Sequence, residues 1–125
     1  MNDGRKGKYS ELTEAVIGCF YIAYNELGYG FHERVYGNAL EILFREAGLS
    51  FLRECPIDVI FRGVRIATFR VDFLMENVVI LELKAGPVMP DGTRAQLANY
   101  LTRAKREVGL VLYFGPQPEV QRVSM

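Results

Sequence analysis

The segment Val78–Ala85 constrains the fold more than any other part of this chain. Its sequence, VVILELKA, is nearly all apolar. Such a run is typical of a central strand that is covered on both of its faces, as in α/β proteins. The segment therefore predicts a layered α/β domain rather than a sheet with one open face.

The flanking residues predict the element order α-α-β-β-β-α-β. Apolar residues recur at helical spacing from Ser10, which is a plausible N-cap, and again from about Phe31 to Ala47. Strands are predicted at Phe51–Phe61, Val64–Leu74, Val78–Ala85 and Val108–Phe114, with a possible short final strand at Glu119–Val123. A third helix is predicted to run to about Arg106, with Thr93 as its N-cap. This order predicts an antiparallel meander followed by a helical crossover to a fourth strand.

Length and composition are those of one ordinary domain. The chain has 125 residues, which we divide into a flexible N-terminus at 1–9 and a single domain at 10–125. Its 15 basic and 15 acidic residues exclude a strongly basic DNA-coating protein, yet they allow a local basic groove. Cys19 and Cys55 have no metal-finger spacing and predict core residues in a reducing, cytoplasmic compartment. The apolar run at 15–24 is too short to span a membrane.

Two charged residues interrupt the apolar strand. Glu82 and Lys84 are two residues apart and so share a face. A salt bridge at the rim of the strand would explain them. Asp72 favours another interpretation, because a hairpin centred on Asn77 places it opposite Glu82, with Cβ atoms about 4.5–5.5 Å apart. Two carboxylates that close repel each other, and a hard divalent cation relieves the repulsion.

This arrangement indicates a metal site for phosphodiester hydrolysis. Lys84 would orient or activate a water, or stabilise charge that develops on a phosphate. The two acids share a face only if the hairpin loop has three residues or a bulge. We therefore predict such a loop, with Asn77 at positive φ.

Two further pairs of residues share a helix face. Glu33 and Tyr36 are three residues apart on the second predicted helix, and Gln96 and Tyr100 are four apart on the third. Each pair alone is weak support for a site, because a Tyr at helical spacing is more often a core residue.

Together these residues resemble a known family. The segment from Gly30 to Tyr36 is a G-x-x-E-x-x-Y motif, followed in order by Asp72, Glu82-Leu83-Lys84 and Gln96-x-x-x-Tyr100. The ordered set is similar to the GxxExxY family, a branch of the PD-(D/E)XK nuclease superfamily. The residue before Asp72 is Val71 where the superfamily motif has proline.

The resemblance implies a restriction-endonuclease-like core, with a mixed sheet of about four strands between helices. It also implies Mg²⁺- or Mn²⁺-dependent cleavage of nucleic acid, with DNA the expected substrate. By position, Asp72, Glu82, Glu33 and the carbonyl of Leu83 would be metal ligands. Lys84, Gln96 and Tyr100 would complete the catalytic set.

Basic residues near the last predicted helix have two interpretations. They form either a solvated helix face or a row of phosphate contacts. Arg70 is either a phosphate clamp or a partner for a nearby acid. The residues predicted to contact nucleic acid are Arg70, Arg94, Arg103, Lys105 and Tyr36.

Two functions from different classes remain open at this stage. One is a metal-dependent nuclease that acts on nucleic acid away from any membrane, as a monomer or a homodimer. The other is a nuclease-fold module that binds nucleic acid or a protein partner without cleaving.

Overall fold

A computed structural model describes residues 7–125. Within this range three helices and five strands follow one another in the order α-α-β-β-β-α-β-β. They are α1 (Ser10–Leu27), α2 (Glu33–Glu46), β1 (Phe51–Phe61), β2 (Val64–Met75), β3 (Val79–Ala85), α3 (Thr93–Ala104), β4 (Val108–Phe114) and β5 (Pro118–Ser124). The predicted α/β fold class is confirmed, with one strand more than the predicted core of about four.

The strands form a single mixed sheet in the order β1-β2-β3-β4-β5. β1, β2 and β3 are an antiparallel meander, β3 and β4 are parallel, and β5 returns antiparallel to β4. The parallel pair requires the crossover that α3 supplies. Pro56 lies in β1, at the edge of the sheet, where a missing backbone donor is tolerated.

Helices cover both faces of this sheet. On one face α1 and α2 pack over a core that includes Phe20, Phe44 and the buried residues Leu81 and Leu83 of β3. On the other face α3 packs Leu97 and Leu101 against the sheet. The near-continuous apolar sequence of β3 follows from this double coverage.

The three-residue connection between β2 and β3 agrees with the prediction. Glu76, Asn77 and Val78 link the strands, and Asn77 has a φ of 64°. Glu76 also has a positive φ, of 50°, and its carboxylate accepts a hydrogen bond from the Ser50 amide. Arg106 donates to the backbone and side-chain oxygens of Asn77, so the loop is tied to the end of α3.

The helix starts differ from the prediction in detail. Ser10 and Thr93 are the first helical residues, while Tyr9 and Gly92 occupy the N-cap positions in left-handed conformations. The Thr93 hydroxyl donates backwards to the Pro90 carbonyl, so it closes the preceding turn instead of capping the helix. The order and type of the elements are unaffected.

The ends and thiols of the chain complete the description. Of the predicted flexible segment 1–9, residues 1–6 lie outside the described range, and the Lys8 ammonium lies 2.6 Å from the Glu107 carboxylate. Cys19 is a buried free thiol and Cys55 a half-buried one. Among the described residues, no helix has the length and apolar character needed to cross a membrane.

Candidate active site

The candidate site is the opening where β2 and β3 separate. Their backbone ladder ends at the pair Phe73–Leu81, and the next two facing positions are Asp72 and Glu82. There the Asp72 amide donates to Glu82 Oε2 (3.2 Å), and the Leu83 amide donates to Asp72 Oδ2 (2.7 Å). The two carboxylates thus replace carbonyl acceptors of the ladder, and they lie beside each other as the sequence predicted.

An irregularity in β2 brings Asp72 into this opening. Strict alternation would put Val71 and Leu74 on opposite faces of the sheet. Both belong to the core beneath α3, whereas Phe73 packs on the α1–α2 side. The pleat therefore slips at Asp72 and Phe73, and the Asp72 carboxylate lies between the separating strands.

The edge strand β1 is also irregular beside Asp72. Arg53 pairs with Phe73 and Cys55 with Val71, which leaves Glu54 facing Asp72 with a φ of 54°. The Glu54 carbonyl accepts a hydrogen bond from Arg70 (3.1 Å). Arg70, predicted as a phosphate clamp or as a partner for an acid, thus contacts a backbone oxygen.

Burial and mutual repulsion disfavour ionisation of both carboxyls. Glu82 is only 7% exposed. Its burial, reinforced by the neighbouring Asp72 carboxylate, raises its pKa to about 8. Burial also raises the pKa of Asp72, against the opposing effects of the Leu83 amide and Lys84. Such a pair is a costly arrangement unless a positive charge joins it.

Lys84 lies near both acids without forming an ion pair. It is half-buried, and its charge opposes the raised pKa values of Asp72, Glu82 and Glu33. Across residues 7–125, no carboxylate oxygen lies within 4.0 Å of its ammonium nitrogen. The alternative in which Glu82 serves as the rim salt-bridge partner of Lys84 is therefore not what the side chains do.

Glu33 approaches the site from the first turn of α2. Its carboxyl is close enough to the Ala85 amide, immediately after Lys84 in β3, for that amide to lower its pKa. Partial desolvation, the largest cause, and the Asp72 charge raise the pKa of Glu33, while Lys84 lowers it. Glu33 thus lies near enough to Asp72 and Lys84 for their charges to act on it.

The two predicted α3 residues, Tyr100 and Gln96, differ in their surroundings. The Tyr100 ring stacks on Phe69 of β2, with ring centroids 3.9 Å apart. Burial raises the pKa of Tyr100, and the charges of Glu82 and Asp72 add to the effect. Gln96 is exposed, and its side chain has no hydrogen-bond partner within the described range.

Tyr36 requires a correction. Its side chain is fully buried and stacks on Phe114, so the prediction that it contacts nucleic acid is wrong. Its hydroxyl donates to the Gly28 carbonyl (2.5 Å) and accepts from the Phe31 amide (3.3 Å). The Tyr of the G-x-x-E-x-x-Y motif therefore fixes the connection between α1 and α2.

The predicted basic groove is also only partly formed. Arg94, Arg103 and Lys105 are all exposed. Arg94 and Arg103 are nine residues apart, which on a helix of 3.6 residues per turn puts them on opposite sides of α3. Arg103 shares a flank with Gln96 and Tyr100, whereas Arg94 does not. A single row of phosphate contacts through all three residues is therefore wrong.

Sequence reasoning missed Arg53 as a neighbour of the site. Its guanidinium donates to Asn38 Oδ1 (2.7 Å) and Glu41 Oε1 (3.1 Å), which ties β1 to α2, and its charge lowers the pKa of Asp72. Gly37 lies so close that a Cβ there would meet the Arg53 guanidinium. The pairing of Arg53 with Phe73, one position from Asp72, was the available signal.

The donors around this opening suit a hard divalent cation. In the part of the chain that the structure describes, no three His, Cys, Asp or Glu side chains converge into a complete metal cage. Mg²⁺ does not need one, since it commonly uses one or two carboxylates and keeps several waters. Glu82 and Asp72 supply two adjacent carboxylates, one buried and one half-buried, and the Leu83 carbonyl and Glu33 are further oxygen donors close by.

The sheet with helices on both faces, opened at a pair of acids, defines a restriction-endonuclease-like α/β protein. The sequence profile of the PD-(D/E)XK nuclease superfamily matches residues 10–123. The chain therefore belongs to the PD-(D/E)XK nuclease superfamily. This membership indicates a nuclease, and members of the superfamily generally use divalent metals and bind nucleic acid.

Comparison with solved structures adds support for the fold alone. The chain is similar to the crystal structure of SSO0001, with a TM-score of 0.50 and 19% sequence identity. The match covers 92% of this chain and 58% of the other, so the chain spans little more than half the length of that protein. No curated protein sequence matches the chain.

Proposed function

We propose that this protein is a nuclease of the GxxExxY branch that hydrolyses phosphodiester bonds of DNA with the help of Mg²⁺ or Mn²⁺. The observation that carries the proposal is the Asp72–Glu82 pair. The buried Glu82 and half-buried Asp72 carboxylates accept hydrogen bonds from backbone amides at the end of a β ladder, and within residues 7–125 neither forms an ion pair with a cationic side chain. A divalent cation supplies the missing positive charge.

Each residue then has a distinct role. Asp72, Glu82 and the Leu83 carbonyl would hold the cation, and Glu33 would reach it directly or through a water. The bound ion supplies Lewis-acid activation of water and of the phosphate oxygen. Lys84, which has no carboxylate in ion-pair contact, is available to orient the attacking water or to stabilise charge on the phosphate.

The α3 residues would act on the substrate strand. Tyr100 lies near the two acids and could donate from its hydroxyl, which the raised pKa keeps protonated. Gln96 and Arg103 continue the same flank of α3 and would contact the backbone of the nucleic acid. Arg94 and Lys105 are exposed cations away from this flank, and Arg70 is an exposed cation of β2 bound to the Glu54 carbonyl; we assign all three a general electrostatic role.

Cleavage assays test this function directly. The protein is incubated with single-stranded, duplex and branched DNA and with RNA, in Mg²⁺, in Mn²⁺ and in EDTA. We expect metal-dependent cleavage of at least one substrate. Lys84→Met should reduce cleavage by about 10²-fold or more, since general acid–base catalysis contributes roughly that much.

Gln96→Ala and Arg94→Met are the matched controls in the same assay. Gln96→Ala should weaken substrate binding more than the chemical step, and Arg94→Met should have little effect on either. Binding of nucleic acid without cleavage in any metal would favour the alternative, a non-cleaving nuclease-fold module. The absence of both would exclude the proposal.

A further inference from the structure

Beside the candidate site lies a cavity of about 330 Å³, formed by the α1–α2 connection and the end of β3. We propose that it binds a nucleobase of a single-stranded substrate, next to the phosphate that is cleaved. Its lining includes Tyr29, Phe31, Glu33, Ala85 and Pro87. This inference rests on the proposed nuclease function and specifies the substrate of that site.

The cavity is physically continuous with the site. Glu33, whose pKa responds to the charges of Asp72 and Lys84, forms part of its wall, and Ala85, the residue after Lys84, belongs to the opposite wall. A nucleotide whose phosphate lies at Lys84 is therefore within reach of the cavity with its own base or with the next one.

Both walls are held by tyrosine hydroxyls. Tyr36 bridges the Gly28 carbonyl and the Phe31 amide, which fixes the connection that carries the aromatic rings. Tyr113 donates to the Gly86 carbonyl (2.7 Å), which fixes the residue after β3. The cavity is thus largely preformed, as binding sites for small planar groups usually are.

Two aromatic side chains are exposed here, although one of them, Phe31, also packs edge-on against the Tyr36 ring. Tyr29 is 44% exposed and Phe31 47% exposed, although each could have been a polar residue in a surface connection. Aromatic faces beside a nucleic-acid site bind unpaired bases by stacking, worth about 1–3 kcal/mol per base. A base inside a duplex is already stacked and paired, so this cavity favours single strands.

Binding measured without metal tests this proposal independently of cleavage. In EDTA, fluorescence anisotropy compares a short single-stranded oligonucleotide with a strand of equal length that carries abasic sites throughout. Wild type should bind the abasic strand about tenfold more weakly, and Phe31→Leu should lose a similar factor on the normal strand. Tyr29→Leu is a second variant in case Phe31→Leu perturbs the adjacent Tyr36.

Phe61→Leu is the matched control. Phe61 is 57% exposed at the end of β1 and pairs with Val64, which lies eight residues, or about 26 Å, along β2 from Asp72. The Phe61→Leu variant should bind both oligonucleotides with the affinities of wild type. If wild type binds both strands equally, or if both cavity variants bind like Phe61→Leu, the cavity is not a base site.

The two proposals fail separately. Metal-dependent cleavage without base-dependent binding would overturn the cavity proposal and leave the nuclease function intact. Base-dependent binding without cleavage in any metal would support the cavity and overturn the nuclease function.

Discussion

Asp72 and Glu82 carry out two tasks that conflict in the metal-free protein. Both carboxylates accept hydrogen bonds from backbone amides where β2 and β3 separate, and these bonds favour the ionised form of each side chain. They are also buried beside each other, which favours the protonated forms. The second effect is larger, and the conflict makes the free energy of unfolding depend on pH.

We predict that the metal-free protein becomes less stable as the pH rises from about 5 to about 8. Glu82 has a pKa of about 8 in the folded protein and an ordinary value near 4.5 when unfolded. In that window the folded state holds more protons, so rising pH favours unfolding, by on the order of a few kcal/mol in total. The measurement is the melting temperature in EDTA across this pH range.

Glu82→Gln provides the control for this pH dependence. The variant keeps the shape of the side chain and removes its titration, so its melting temperature should fall much less with pH. Near pH 8 it should be at least as stable as wild type, because the repulsion with Asp72 is gone. An equal pH slope in both proteins would show that Glu82 is not the titrating group.

At the scale of elements, the β2–β3 hairpin sets the geometry of the site. Its three-residue loop puts Asp72 and Glu82 at facing positions, whereas a two-residue loop would put Asp72 opposite Leu81. Asn77 has a left-handed backbone in this loop and accepts hydrogen bonds from Arg106. The loop therefore joins the register of the strands to the position of α3.

A pair of substitutions at Asn77 tests the role of this backbone conformation. Asn77→Gly and Asn77→Ala both remove the side-chain contact with Arg106, but only alanine is strained at positive φ. We expect Asn77→Ala to be less stable than Asn77→Gly by about 1 kcal/mol in urea unfolding. Equal stability, or greater stability of the alanine variant, would contradict the left-handed conformation.

The β2–β3 hairpin could be predicted because the residues that determine it lie close together in the sequence. The apolar run of β3, the asparagine in the loop and the positions of two acids determine the register together. The opening beside it could not be predicted, because it arises from a slip of the pleat at Asp72 and from the left-handed Glu54 on a neighbouring strand. Neither residue type favours that conformation on its own.

The errors at α2 and α3 have a different cause. Tyr36 was assigned to substrate because it belongs to a motif, yet its ring fills the core against Phe114. Arg94 and Arg103 are close in sequence but half a turn apart around α3. Helical periodicity alone was sufficient to separate the two arginines, whereas the burial of Tyr36 depends on how α2 packs.

At the scale of the whole molecule, net charge is zero and nucleic-acid contacts must be local. The two ends of β2 differ accordingly. One end holds the acids and the aromatic cavity lies close by, while the other projects as a hairpin with exposed Phe61, Val64 and Ile66. Exposed apolar clusters of this kind often mark contacts with another protein chain.

We expect a second copy of this chain to cover the hairpin end, which would make the protein a homodimer. Val64→Lys places a charge in the cluster and should shift the protein toward monomer, while Phe61→Leu keeps the surface apolar and should leave the mass unchanged. Light scattering after size-exclusion chromatography measures this mass. A wild-type protein that is monomeric over a wide range of concentration would contradict the homodimer.

Binding of a divalent cation by Asp72 and Glu82 is the central feature of the proposed site. Isothermal titration calorimetry of Mn²⁺ into wild type and Glu82→Gln near neutral pH measures this binding directly. We predict saturable binding at one or more sites in wild type, with release of protons from the carboxyls whose pKa values are raised. Binding to Glu82→Gln should be much weaker. The absence of saturable binding in wild type, or equal affinity in the two proteins, would contradict the account.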